Sequence, residues 1–191
     1  VTAVRIREIA RELDLSPGNL SYHFATKEAL VAALIEEEHA ENNARVATVV
    51  GPLDFASVDQ IIRAIMLRDL ENQWLMRDWV GLLPALPSLR SLHLRLQRGR
   101  ESRVESIVAR LIDSGLLDGR RTTRALPQLR RQILTQVFFW LPAAILAAPD
   151  RDPAESLDDH ARATLALFRA YCTPAGRRRL EALLRPIPRR S

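Results

Sequence analysis

Residues 16–27 read SPGNLSYHFATK, and the interpretation of this stretch decides how the rest of the chain is understood. Ser16 brings a hydroxyl that can accept from the free backbone N–H groups of a first helical turn, which is the work of an N-cap. Pro17 follows at the one helical position where no N–H is needed. Leu20 and Phe24, four apart, share a face directed inward. Gly18, Asn19 and Ser21 leave the other side slim and polar. Immediately upstream, VRIREIAREL at 4–13 places Ile6, Ile9, Ala10 and Leu13 at the i, i+3, i+4, i+7 spacing of an amphipathic helix. Asp14-Leu15 is the connection, and Asp tolerates the left-handed conformation that such tight turns need. Two short helices and a tight turn make a helix-turn-helix.

Continuing through Lys27, the segment IREIARELDLSPGNLSYHFATKEALVAALI resembles the DNA-binding region of TetR/AcrR-type transcriptional repressors. The resemblance is carried by Ile9, Ala10, Leu15, Ser16, Gly18, Leu20, Tyr22, His23, Phe24, Lys27, Glu28 and Leu30. It covers about the first fifty residues closely and the remainder in helical character and length. Two positions depart from the pattern. Asp14 stands where the turn usually has Gly, and Ser21 stands where a first aromatic is usual, which leaves Tyr22 the only tyrosine there. The family also has a helix before these two, and the chain begins at Val1 without room for it, so the natural protein is expected to begin upstream.

The resemblance implies that Ser16, Gly18, Asn19, Leu20, Ser21, Tyr22, His23 and Lys27 face a DNA duplex. Asn19 is the candidate for reading a base edge, since an amide pairs in two directions with adenine. Tyr22, His23 and Lys27 suit phosphates, which set register without carrying sequence information. His23 also has a packing alternative beside Phe24. The charge balance does not make the DNA case. The whole chain carries +5, but residues 1–50 hold five basic side chains against eight acidic ones, a net of −3. The surplus lies elsewhere, including Arg177, Arg178, Arg179, Arg185, Arg189 and Arg190.

A chain of 191 residues with 47% hydrophobic and 27% charged content has enough apolar material for one or two small domains with real cores. Glycine is scarce and the apolar runs are long and helix-periodic, which predicts helices throughout. No uninterrupted apolar run reaches the roughly 18 residues of a membrane span. The longest, 137–148, contains Pro142 and suits a buried helix. No secretory signal is legible. Cys172 is the only cysteine, so no disulfide forms within the chain, and the cytoplasm is the expected compartment.

The helix after the recognition segment is expected over 26–49, capped by Thr26, with Leu30, Ala33, Leu34, Val46 and Val49 buried and Glu36, Glu37 and Glu38 on a solvated face. Gly51-Pro52 is the clearest break. It divides a DNA-binding domain with its linking helix, 1–50, from a larger C-terminal domain, 51–191. Asp54 or Ser57 caps a long helix to about 79. Pro84 and Pro87 interrupt the next stretch, so 80–86 is a turn or short helix. Another helix runs from Ser88 to about 114, closed by Gly115. Gly119 and the RRTTR run form a loop, and helices follow over 126–148, 154–172 and 175–184. There is no internal repeat.

By resemblance, the C-terminal domain encloses an effector pocket and carries the dimer face. The effector candidates are Met66, Leu70, Trp74, Trp79, Leu83, Leu92, Leu96, Val104 and Ile107, with polar points at Asn72, Gln73, Asp78, His93 and Gln97. Their composition favours an apolar or amphipathic small molecule. The dimer candidates are Phe138, Phe139, Leu141 and Ile145 on one helix and Leu157, Leu165 and Phe168 on the next. A helix apolar around most of its circumference must be covered by something, either a partner or its own chain. A homodimer with C2 symmetry would set two recognition helices on the half-sites of an inverted repeat, about 34–36 Å apart.

The sequence contains no paired His or Cys ligands, HExxH, GxSxG or phosphate loop. No metal, cofactor or catalytic set is therefore expected. The four histidines, His23, His39, His93 and His160, are scattered, and His39 and His160 sit in polar stretches expected at the surface. The overall expectation is an all-α regulator: a helix-turn-helix head that binds operator DNA, joined to a helical body that binds an unknown small effector and dimerises. The alternatives are an effector-independent architectural DNA binder and a helical enzyme.

Overall fold

Ser16 caps its helix, its side chain accepting from the Asn19 N–H at 3.0 Å. The computed structural model describes residues 5–47 and 53–185, and among these lie nine α-helices and no strand. The Gly51-Pro52 break, Val49 and the arginines beyond Arg185 lie outside the described residues. So do the side chains of Asp78 and Trp79.

The head contains α1 (Ile6–Glu12) and α2 (Pro17–His23). The turn between them places Asp14 at φ 52°, in the left-handed region, and the Leu15 N–H donates to the Ala10 carbonyl at 2.9 Å. Thr26 caps α3 (Lys27–Ala47), its Oγ1 accepting from the Ala29 N–H at 3.1 Å. The buried line of α3 is Val31 and Ile35, one position on from the expected Leu30 and Leu34; Leu34 is exposed. The register is decided by what α3 packs on, a cluster in which Val31 and Ile35 meet Leu75, Leu82, Leu86, Leu89, Leu92 and Leu96. Ion pairs fasten α3 to its neighbours: Arg68 to Glu41, and Arg95 to Glu36 at 2.5 Å.

Asp54 caps α4 (Phe55–Glu71), accepting from the Ser57 N–H at 2.9 Å. The long helix expected to reach residue 79 breaks at Asn72 (φ −110°, ψ 36°), and α5 (Gln73–Ala85) begins there. The stretch 80–86 is thus the second half of a helix, with Pro84 inside it. The next helix, α6 (Leu89–Asp113), ends as read, with Gly115 at φ 69°. The expected loop at Gly119 is instead the first turn of α7 (Gly119–Ala147). The Asp118 carboxylate caps it, accepting from the Arg121 N–H at 2.7 Å, and Thr122 is buried beneath. The expected helix over 154–172 is a 3₁₀ turn (Pro153–Ser156), α8 (Leu157–Ala166) and a second 3₁₀ stretch (Leu167–Tyr171). Finally, Thr173 caps α9 (Pro174–Leu184).

The principal core joins α4, the second half of α6, α7, α8 and α9 around Phe55, Met66, Leu111, Trp140, Leu141 and Phe168. The smaller cluster joins α3, α5 and the first half of α6. Phe138 of α7 packs against both. No helix among the described residues is long and apolar enough to cross a membrane.

Candidate functional site

Two places gather the residues of interest: the outer face of α2 and a cavity beneath α3. On α2, Gly18, Asn19, Ser21, Tyr22 and His23 are exposed. Tyr22 is 86% exposed and stands edge-on to the His23 ring, with centroids 5.2 Å apart. Ser16 is exposed at the start of α2, where it caps, and Lys27 is half-exposed at the start of α3. Leu20 does not join this face. It is buried with Ala10, because the four-residue spacing to Phe24 puts both on the packing side, so its contribution is to hold α2 against α1. The motif does not single out Arg7 and Arg11, yet they share a shallow groove with Asp14, Leu15, Ser16 and Pro17. Among the described residues, beyond its own helix backbone and chain neighbours, nothing lies within 4 Å of where a Cβ on Gly18 would stand.

The cavity, of about 100 Å³, opens between α3, α4, α6 and α7. Its apolar wall includes Ile61, Ile65, Ile107, Ile133, Val137 and Phe168; Glu38, His39, Asn42, Asp69, Arg100 and Arg103 also line it. Of the expected effector set, Val104 and Ile107 line this cavity. Met66 is fully buried in the principal core, and Leu70 packs against it. Leu96 lies in the smaller core. Gln73 is half-buried and Trp74 exposed on α5. His93, Gln97 and Leu83 line a separate open groove of about 540 Å³ between α6 and α7, which shares Leu134 and Phe138 with the cavity.

The charged residues on this wall were expected elsewhere or not singled out at all. Glu38 was expected on a solvated face with Glu36 and Glu37; those two are exposed, but Glu38 turns inward and accepts from Asn42 Nδ2. Burial raises its carboxyl above the ordinary range, partly offset by Arg100 and Arg68. Asp69 is 4% exposed and accepts from Trp140 Nε1 at 2.7 Å. Burial pushes its carboxyl up to about 8, against the pull of that hydrogen bond. His39, expected at the surface, is half-buried, and burial with Arg100 and Arg103 nearby lowers it to about 4. His160 also leaves the surface to stand against Trp140, with centroids 5.8 Å apart. The signal for the charged trio was present in the helical spacing. Arg100 stands four residues from both Leu96 and Val104, Asp69 follows Ile62 and Met66, and Glu38 follows Val31 and Ile35. A charge on an apolar stripe marks a polar point inside a helical body.

Of the expected dimer residues, Leu141, Leu157, Leu165 and Phe168 are buried in the chain's own core, which leaves them no surface for a partner. Phe138 and Ile145 are half-buried against that core. Phe139 remains outward at 44% exposure, and Leu146, one turn or two further along α7, is 81% exposed. Cys172 is half-buried with its thiol donating to the Phe168 carbonyl at 3.4 Å, and burial pushes the thiol up, which makes a poor nucleophile. Among the described residues no group of three or more His, Cys, Asp or Glu side chains is arranged to hold a metal ion.

Comparison with protein-family models matches residues 1–34 to bacterial regulatory proteins of the tetR family and residues 37–180 to a bacterial transcriptional repressor model, TetR. Among solved structures, a TetR-family transcriptional regulator from Marinobacter aquaeolei VT8 superposes with a TM-score of 0.79 at 22% identity, covering 96% of this chain and 90% of that one. At that identity the likeness is one of fold. No curated protein sequence matches.

Proposed function

From the premise that this chain belongs to the tetR family of bacterial regulatory proteins, we propose that it is a ligand-responsive repressor. The exposed face of α2 grips operator DNA, and a small molecule in the cavity under α3 releases it. One observation carries the reading: α3 lines the cavity and is the helix that follows the recognition helix directly in the chain. Glu38, His39 and Asn42 line the cavity from α3, while Lys27 begins α3 just after α2 ends. About 16 Å of rigid helix separates Lys27 from Glu38. A molecule that pushes on the Glu38 turn therefore moves the head as well.

The mechanism is a shared equilibrium. Two arrangements of α3 relative to α4 and α6 place the head differently, DNA favours one and the effector the other, so each weakens the other's binding by the same factor. The ion pairs from Glu36 and Glu41 to Arg95 and Arg68 are exposed enough to re-form after a small shift. On the DNA side, Asn19 reads a base edge. Tyr22, His23, Lys27 and the Gly18 backbone hold phosphates, and Arg7 and Arg11 add charge beside them. Two copies bring two heads to an inverted repeat.

The test is to mix the purified protein with fragmented DNA from its host genome at physiological salt, then sequence what is retained. Enrichment of a short inverted repeat is the expected result, and cavity-directed ligands should then lower that retention. Uniform capture of all fragments would replace this reading with architectural, sequence-indifferent binding.

A further inference from the structure

Arg100 occupies the junction of the two cores. Leu96 before it belongs to the smaller cluster and Val104 after it to the principal one. Its guanidinium lies over the Phe138 ring, 4.3 Å from the centroid, and its Nη1 is buried without a hydrogen-bond partner. Burial lowers Arg100 only to about 10, so it is charged at neutral pH. Two acids line the same cavity, and burial disfavours the charged form of both: it pushes Asp69 up to about 8 and raises Glu38. The cavity thus presents one cation with an unused donor at the edge of a wall of isoleucine, valine and phenylalanine. A guanidinium fork matches a carboxylate, because two parallel N–H···O bonds form at once, and a carboxylate is the smaller of the two organic anions that it pairs with in this way.

We infer that the cavity takes a small organic acid, its carboxylate on Arg100 and its short aliphatic body against Ile61, Ile65, Ile107 and Val137. This rests on the ligand-responsive reading above and names its ligand class. Size sets the class as much as charge: a cavity of about 100 Å³ is smaller than the roughly 150 Å³ that holds benzene, so the body is a few carbons and not a ring. An amine in the same place would face Arg100 and Arg103 together. Leu134 and Phe138 line both this cavity and the open groove between α6 and α7.

The experiment is calorimetric titration of the whole protein with butanoate and pentanoate, their alcohols 1-butanol and 1-pentanol, and their amines butylamine and pentylamine. The acids are expected to bind at least tenfold more tightly than the alcohols, and the amines most weakly. Arg100→Met should remove the preference for acids while keeping the alcohols' affinity. Glu38→Gln, which leaves Arg100 in place and removes its nearest competing carboxylate, should tighten acid binding severalfold, so the outcome does not depend on the folding of one variant. Alcohols or amines binding as well as the acids, an acid preference that survives Arg100→Met, or no binding by any probe would overturn the inference. The retained operator fragment separates the two claims. Acids that bind with the expected preference but leave DNA retention unchanged sink the ligand-responsive reading and leave the cavity's chemistry standing.

Discussion

Gly18 is the second residue of α2, and the space where its Cβ would stand is open. Among the described residues no contact asks for glycine, and glycine weakens a helix relative to alanine. What remains is a demand from outside, the close approach of a backbone N–H to a phosphate. Gly18→Ala is therefore expected to leave stability unchanged or raise it by up to about 1 kcal/mol and to weaken operator binding at least tenfold. Chemical denaturation alongside DNA titration checks this, and unaltered affinity would remove Gly18 from the interface. The cavity residues give a second prediction, in pH. Asp69 has a folded pKa of about 8 against 3.8, so across that interval the folded state holds the extra proton and stability falls as pH rises. Glu38 leans the same way. His39 does the opposite: folded about 4 against 6.5, so stability rises with pH over that interval as the unfolded chain gives up its proton. The opposing slopes largely cancel below pH 6.5. From 6.5 to 8 His39 no longer offsets Asp69, and stability should drop by roughly 1–2 kcal/mol. Asp69→Asn should abolish that drop while keeping the acceptor for Trp140, and reveal His39's rise between pH 4 and 6.5. Urea denaturation at half-unit pH steps would show either pattern.

The helix ends legible in the sequence are those fixed by a residue's own chemistry: Ser16 and Thr26 as caps, Asp54 as the one of two candidates, Asp54 or Ser57, that caps α4, and Gly115 as a stop. Where the deciding interaction lies far along the chain, the sequence spoke less clearly. Gly119 and its run of Arg and Thr look like a loop until Thr122 is seen buried and Asp118 held by the Tyr171 carbonyl, to which its N–H donates at 2.8 Å. The face of α3 was misjudged by one residue because several apolar lines fit its sequence and only its neighbours choose among them. The site divides in the same way. The polar face of α2 was legible from motif and spacing, whereas the cavity needed Glu38, Asp69 and Arg100 from three helices brought to one level. Long-range fixing of this kind is most exposed at α9. Thr173 donates its N–H to the Leu116 carbonyl at 3.0 Å, and a Cβ on Gly176 would run into that same carbonyl. A backbone obstacle cannot rotate away, so Gly176→Ala should cost about 1–3 kcal/mol and lower the melting temperature, with operator affinity of the folded protein unchanged. A melting temperature equal to the parent's would mean that α9 is free to dock another way.

For the molecule as a whole, repression by two heads requires a surface that joins two bodies, and the monomer's core has already used most of the apolar residues that might serve. What is left on α7 is a line of Phe139, Ala143 and Leu146, four and three residues apart and all exposed. Their spacing puts them on one face of the helix, opposite Trp140, Leu141 and Ala144, which are buried in the core. Substituting Phe139→Glu and Leu146→Glu together therefore leaves the core intact, and the helical signal and melting of the monomer unit should persist. Sedimentation should show the parent as a dimer and the double variant as a monomer. The effect on DNA should exceed what a surface change ordinarily produces. Binding by the second head is intramolecular once the first is seated, so losing the link forfeits a factor of order 10²–10⁴ in apparent affinity. A variant that still sediments as a dimer would move the interface off this face of α7. A monomer that retained full operator affinity would mean that one head is enough, which would remove the need for paired heads and, with it, the route by which the cavity under α3 changes their spacing.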